Sequence, residues 1–128
     1  VPGTSSVALL LRPPAGRLGA VVVQDVITAE RSLVFRVPAM ASGTIITAVT
    51  GEGPVLVLAT RNARAGTVRV EGRAVLSGQR LWVRAGSLGF DPADADQIES
   101  GVVAILGHRF GDGNVEVAWW DPLTGARL

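Results

Sequence analysis

Residues 67–85, TVRVEGRAVLSGQRLWVRA, place two alternating runs on either side of a Leu-Ser-Gly turn, and this pattern commits the chain to an antiparallel β-hairpin. Successive side chains on a strand point to opposite faces. Val68, Val70, Ala74, Leu81 and Val83 are therefore expected on one face, with Arg69, Glu71, Arg73, Arg80, Trp82 and Arg84 on the other. The first set reads as core. The second reads as a contact surface on which Trp82 stacks against a sugar ring or partner side chain while the guanidinium groups pair with carboxylates. Two plainer alternatives stay open: a solvated face whose Trp82 is covered by arginine stems, or a Trp82 buried by another part of the chain.

The rest of the chain is written in the same alphabet. Hydrophobic residues make up 48% of the 128 and aromatics only 5%, so the core must be aliphatic and partly β-branched, which favours strands. Beyond the hairpin, strands are expected over residues 7–12, 20–28, 33–37, 44–50, 55–60, 102–110 and 115–120. Gly and Pro clusters separate them, notably Pro13-Pro14, Gly51-Glu52-Gly53-Pro54 and Gly111-Asp112-Gly113-Asn114. Asp91-Pro92-Ala93-Asp94 supplies an N-cap acid, a proline at the first helical position and a further acid, which predicts one short helix near 92–99. The expected fold is all-β: about nine strands in an antiparallel β-sandwich of Greek-key or jelly-roll type, or a closed barrel. Residues 1–128 form a single domain, with 1–6 as a flexible lead-in.

Within that pattern, Leu9-Leu10-Leu11-Arg12-Pro13-Pro14-Ala15 is followed by Leu18 and Val21-Val22-Val23. Thr50-Gly51-Glu52-Gly53-Pro54-Val55 is followed by Leu58 and then by Ala65-Gly66-Thr67-Val68-Arg69-Val70. On these two motifs, residues 7–78 resemble the cohesin-like β-sandwich of bacterial surface and scaffold proteins, although Pro13 stands where that family carries a corner Asp. The resemblance implies a non-catalytic module that docks a partner through a sheet face, in an extracellular or surface-associated setting.

Catalytic and cofactor chemistry is sparse. The 12 basic residues are all Arg, and against 11 acids they leave a net charge of +1, which does not suit nucleic-acid binding. There is no Cys, and the apolar runs are too short for membrane insertion. His108 is the only histidine, and no nucleophile elbow, phosphate loop or metalloprotease motif accompanies it. No enzyme activity and no cofactor are expected. Asp91, Asp94, Asp96 and Glu99 put four carboxylates within nine residues, but a helix N-terminus accounts for most of them better than a Ca²⁺ site does.

Trp119 and Trp120 are adjacent and must face opposite ways on a strand, so one is expected in the core and the other at a contact surface. Val7, Leu9, Leu10 and Leu11 form an apolar strand cut off by Pro13-Pro14, able to pair at the edge of its own sheet or of a neighbouring copy's. The function expected is a structural or interaction module of a surface, filament, shell or virion. It would assemble with copies of itself or with a scaffold protein through a sheet face or edge strand. The alternative is a carbohydrate-binding module whose exposed tryptophans hold a glycan.

Overall fold

The structure, a computed structural model, describes residues 6–11, 19–25, 27–38, 40–75, 77–86, 88–98 and 101–128. Ten strands run through them: β1 (Ser6–Leu11), β2 (Gly19–Asp25), β3 (Arg31–Val37), β4 (Met40–Ala48), β5 (Val55–Asn62), β6 (Val68–Ala74), β7 (Arg80–Ala85), β8 (Phe90–Gln97), β9 (Val103–Arg109) and β10 (Val115–Trp120). The fold is all-β, with antiparallel sheets of order β1-β2-β3, β4-β5-β6-β7 and β10-β9-β8. Each sheet is a meander of consecutive strands, which replaces the Greek-key or jelly-roll order expected. Tight turns dictate this. Gly111 and Gly113 adopt positive φ between β9 and β10, and Thr50 Oγ1 donates to Gly53 O at 2.5 Å between β4 and β5, so each strand returns beside its predecessor.

No helix occurs among the described residues, and the segment expected to be helical near 92–99 is β8 as far as Gln97, with Glu99 outside the described residues. Asp94-Ala95-Asp96-Gln97 alternates, and in the folded chain that alternation prevails over the Asp-Pro capping signal. Pro92 is tolerated because β8 is an edge strand of its sheet and because Ala93 is the extra residue of a bulge between Pro92 and Asp94. Its cross-strand partner is Gly107, where a Cβ would run into the Asp91 carbonyl. Of the lead-in expected over 1–6, Ser6 opens β1, and residues 1–5 lie outside the described residues.

β5 is the organising strand. Its run Val55-Leu56-Val57-Leu58-Ala59-Thr60 is buried at every position, so both of its faces are covered. Val55, Val57 and Ala59 join Val68, Val70 and Trp82 in a cluster completed by Phe90, Val103, Ile105, Ala118 and Trp120 from the β8–β10 sheet. On the opposite face, Leu56 and Leu58 pack with Val21, Val37 and Val75, with Ala8, Leu10 and Phe35 against them. The β4–β7 sheet is thus the middle layer, and the other two sheets cover its two faces. Each fully buried Val or Leu contributes roughly 1.5–3 kcal/mol relative to an exposed one.

At one side of the first cluster β4 and β8 run together. Gln97 bonds both the N–H and the carbonyl of Val49, and Ser42 Oγ bonds Asp91. At the other side Trp82 of β7 stacks on Trp120 of β10, with ring centroids 6.2 Å apart.

Candidate functional site

The hairpin that dominates the sequence folds with one change of face. Val68 and Val70 are buried toward the first cluster as expected, but so is Trp82, at 6% exposure, while Leu81 is 44% exposed. The cause is a single bulge. Arg73 pairs with Arg80 and Gly72 pairs with Trp82, so Leu81 is an extra residue without a partner and every side chain beyond it changes side. The expected core positions Leu81 and Val83 are therefore corrected to the outer face, and Trp82 and Arg84 to the inner one. Gly72 makes room for the indole, since a Cβ at that position, or at Gly125 on the other side, would overlap the Trp82 ring. Trp82 Nε1 donates to Pro122 O at 2.7 Å. Arg84 donates from Nε to Gly125 O and from Nη2 to Thr124 O, tying β7 to the 121–125 turn. Trp82 is thus a core residue, and Arg84 stays exposed while bonded to the turn carbonyls.

Arg69, Arg73 and Arg80 do share the outer face, and their common partner lies within the hairpin. Glu71, 1% exposed, is met by Arg69 Nη2 at 3.3 Å on Oε1, and by Arg73 Nε at 3.2 Å and Arg80 Nε at 3.3 Å on Oε2. The Arg73 guanidinium also lies 3.9 Å from the Phe35 ring centroid. Three cations on one buried carboxylate neutralise it and leave these arginines committed to holding β6, β7 and β3 together.

A surface is left open at the other side of the molecule. In β10, Trp120 is 1% exposed and Trp119 38%, as adjacent strand positions require. Trp119 stands in a cross-strand row with Ala104 and Asp96, and Val117 in a row with Leu106 and Asp94. His108 pairs with Val115, which is 68% exposed. The outer face of the β8–β10 sheet is therefore an apolar strip of Trp119, Val117, Val115 and Leu106 flanked by two exposed carboxylates. Each of those carboxylates accepts only from the next backbone N–H, Asp94 from Ala95 and Asp96 from Gln97, both at 2.8 Å. The sequence marks Trp119 but not its neighbours, because the Asp91-Pro92 capping signal points to a helix for Asp94 and Asp96. The signal was the alternation Val115-Glu116-Val117 set beside Asp94-Ala95-Asp96.

No family model, no curated protein and no solved structure matches this chain.

The remaining candidates are dispersed. Asp91 is held by Arg61 Nη1 at 3.5 Å and by Ser42, and among the described residues no group of three or more His, Cys, Asp or Glu is placed to hold a metal. His108 is exposed, with Nδ1 3.2 Å from Gly113 O, in the β9–β10 turn region. In β1, Ala8 and Leu10 face inward to the second cluster, and the strand pairs with β2 of its own chain from Ser6 to Leu11. Val7, Leu9 and Leu11 take the opposite face, with Val7 41% exposed. A shallow groove of about 260 Å³ lies between Val49, Gly101, Val102, Leu123 and Leu128, a feature for which the sequence carries no local pattern.

Proposed function

We propose that this chain is a non-catalytic interaction module, an antiparallel sandwich that docks a protein partner, first of all further copies of itself, through the open face of the β8–β10 sheet. One observation carries this. The inner face of that sheet contributes Phe90, Val103, Ile105, Ala118 and Trp120 to the core, yet its outer face keeps Trp119 and Val115 exposed in one strip with Val117 and Leu106 rather than as isolated residues. A rigid aromatic anchor with an aliphatic surround and a polar margin is the anatomy of a protein-binding patch. The cohesin-like pattern of residues 7–78 points to the same mode of action, docking by a sheet face. Sedimentation over a concentration series, with native protein and Trp119→Ala, tests the proposal. Association should weaken at least tenfold in the variant, and equal behaviour of the two would count against this face.

A second reading is a carbohydrate-binding module. Trp119 and Asp96 lie about 10 Å apart across the small Ala104, two strand spacings, so a pyranose could rest on the indole while its hydroxyls donate to the carboxylate. Trp82 and Trp120 take no part in it, because both are in the core. Glycan-array binding that disappears in Trp119→Ala would favour this reading, and a blank array would remove it.

A further inference from the structure

Most of the charged side chains in the sheets are paired. Arg69, Arg73 and Arg80 converge on Glu71, Arg61 meets Asp91, and Arg109 lies within 4 Å of Asp112 and Glu116. Four exposed charges outside these pairs lie on the two covering sheets, two of each sign. On the β1–β3 sheet, Arg31 and Arg36 are exposed, and neither is in an ion pair; Arg31 Nε donates to Gln24 Oε1 at 2.8 Å. On the β8–β10 sheet, Asp94 and Asp96 are the exposed charges without a cationic partner.

Register places both pairs on outward faces. Arg36 pairs with Ala20 and Arg31 with Gln24, positions that alternate with the inward-facing Val21 and Val23. Beside this basic margin lie Leu11, paired with Ala20, and Val7, paired with Gln24. Beside the acidic margin of β8 lie Leu106, Val117 and Trp119. Since the two sheets cover opposite faces of the β4–β7 layer, one outer face is apolar with a basic margin and the face on the far side is apolar with an acidic margin.

We infer that copies of this chain stack face to back, the β8–β10 face of one on the β1–β3 face of the next. Asp94 and Asp96 then meet Arg31 and Arg36 while Trp119 lies on the neighbour's aliphatic strip. The inference rests on the module reading above and specifies its partner as a second copy. Because the two patches differ, the contact is heterologous and propagates into an open stack unless the rotation per subunit closes it into a ring. A formal charge of +1 per chain leaves little net repulsion to oppose it. Each patch spans three strands and six to eight residues, about 10–15 Å by 20 Å plus side chains. That is less than the roughly 800 Å² per partner of a standard interface, so the stack should form at high protein concentration and low salt.

The test uses two full-length variants, Asp94→Arg/Asp96→Arg and Arg31→Asp/Arg36→Asp, with light scattering, sedimentation velocity and negative-stain imaging at low salt. All four positions are exposed, so both variants should melt like the native protein. Should either unfold, the neutral pairs Asp94→Asn/Asp96→Asn and Arg31→Gln/Arg36→Gln replace them, each expected to lower the average stack length at least tenfold.

Each reversed variant alone, carrying one sign of charge on both faces, should remain a single chain. An equimolar mixture should regain stacks in which the two alternate. Reversed variants that stack alone as the native protein does, or a mixture that stays monomeric while the native chain stacks, would overturn the pairing of faces and leave the interaction module standing. A native chain that is monomeric at every concentration would overturn both the stack and self-association.

Discussion

The two faces of the β4–β7 sheet are covered in different ways. Toward β8–β10, thirteen of the described residues are buried and apolar, two of them stacked tryptophans. Toward β1–β3, five of the described residues are buried and apolar, and past Leu58 the face turns ionic at Glu71. Apolar burial acts over the whole area removed from water, whereas the Glu71 cluster trades the desolvation of a carboxylate against three partly solvated arginines and nets far less. Among the described residues, the larger apolar contact therefore joins the β4–β7 and β8–β10 sheets, and the β1–β3 sheet makes the smaller one.

Native-state hydrogen exchange is the broadest way to break that comparison. Amides of β1 and β2 should exchange through an opening several kcal/mol less costly than the one that exposes β5 and β9. Equal protection across all of them would mean that the three layers open as one.

Substitutions sharpen the ranking. Trp82→Ala should cost about 3–5 kcal/mol in a denaturant melt, because it empties the space between Gly72 and Gly125 and removes the stacking partner of Trp120. On the face toward β1–β3, Glu71→Ala should cost roughly 1–3 kcal/mol, less than breaking a fully buried pair, since the arginine side chains keep 16–46% of their exposure and can turn to water. A larger loss from Glu71 than from Trp82 would invert the ranking of the faces.

A finer contrast lies inside the first cluster. Trp82 Nε1 donates to Pro122 O, while Trp120 Nε1 is buried without a hydrogen-bond partner. Trp82→Phe forfeits a buried bond and leaves a carbonyl unpaired, whereas Trp120→Phe removes a donor that had nothing to bond. Melts of the two variants should differ by about 1–2 kcal/mol, with Trp82→Phe the less stable.

Strand positions were legible in the sequence wherever alternation or an unbroken apolar run lay between glycine and proline clusters. Among the described residues, nine of the ten strands overlap the spans those signals mark, β2 ending at Asp25 short of the expected 28 and β4 running 40–48 in place of 44–50, and the tenth, β8, replaces the expected helix. What could not be read was set by contacts between distant segments. Gly107 admits Pro92 into a strand pair, and the identity of the facing residue cannot be seen from Asp91-Pro92-Ala93-Asp94 alone. The candidate surface was legible by halves. The opposite fates of Trp119 and Trp120 follow from adjacency, but the acidic margin beside Trp119 comes from pairing β8 with β9. Trp82 was misplaced because a one-residue bulge leaves no mark in an alternating sequence and yet inverts everything after it.

That bulge gives the smallest and most discriminating prediction. Leu81 would be a core residue if the alternation of 80–85 ran unbroken from Arg80, and Leu81→Lys would then bury an unpaired ammonium at a cost of several kcal/mol. With Leu81 as the extra residue of the bulge, 44% exposed on an edge strand of its sheet, a lysine stem can follow the same path and carry its charge into water. The expected change in stability is within about 0.5 kcal/mol, and the near-ultraviolet circular dichroism of the Trp82–Trp120 pair should stay as it is in the native protein. Val70→Asp serves as the control, since Val70 is 0% exposed in the same hairpin and a buried carboxylate there should unfold the chain or nearly so. If Leu81→Lys instead approaches the loss seen for Val70→Asp, the bulge is wrongly placed, Trp82 returns to the outer face, and the Arg-Trp-Arg surface becomes available for binding after all.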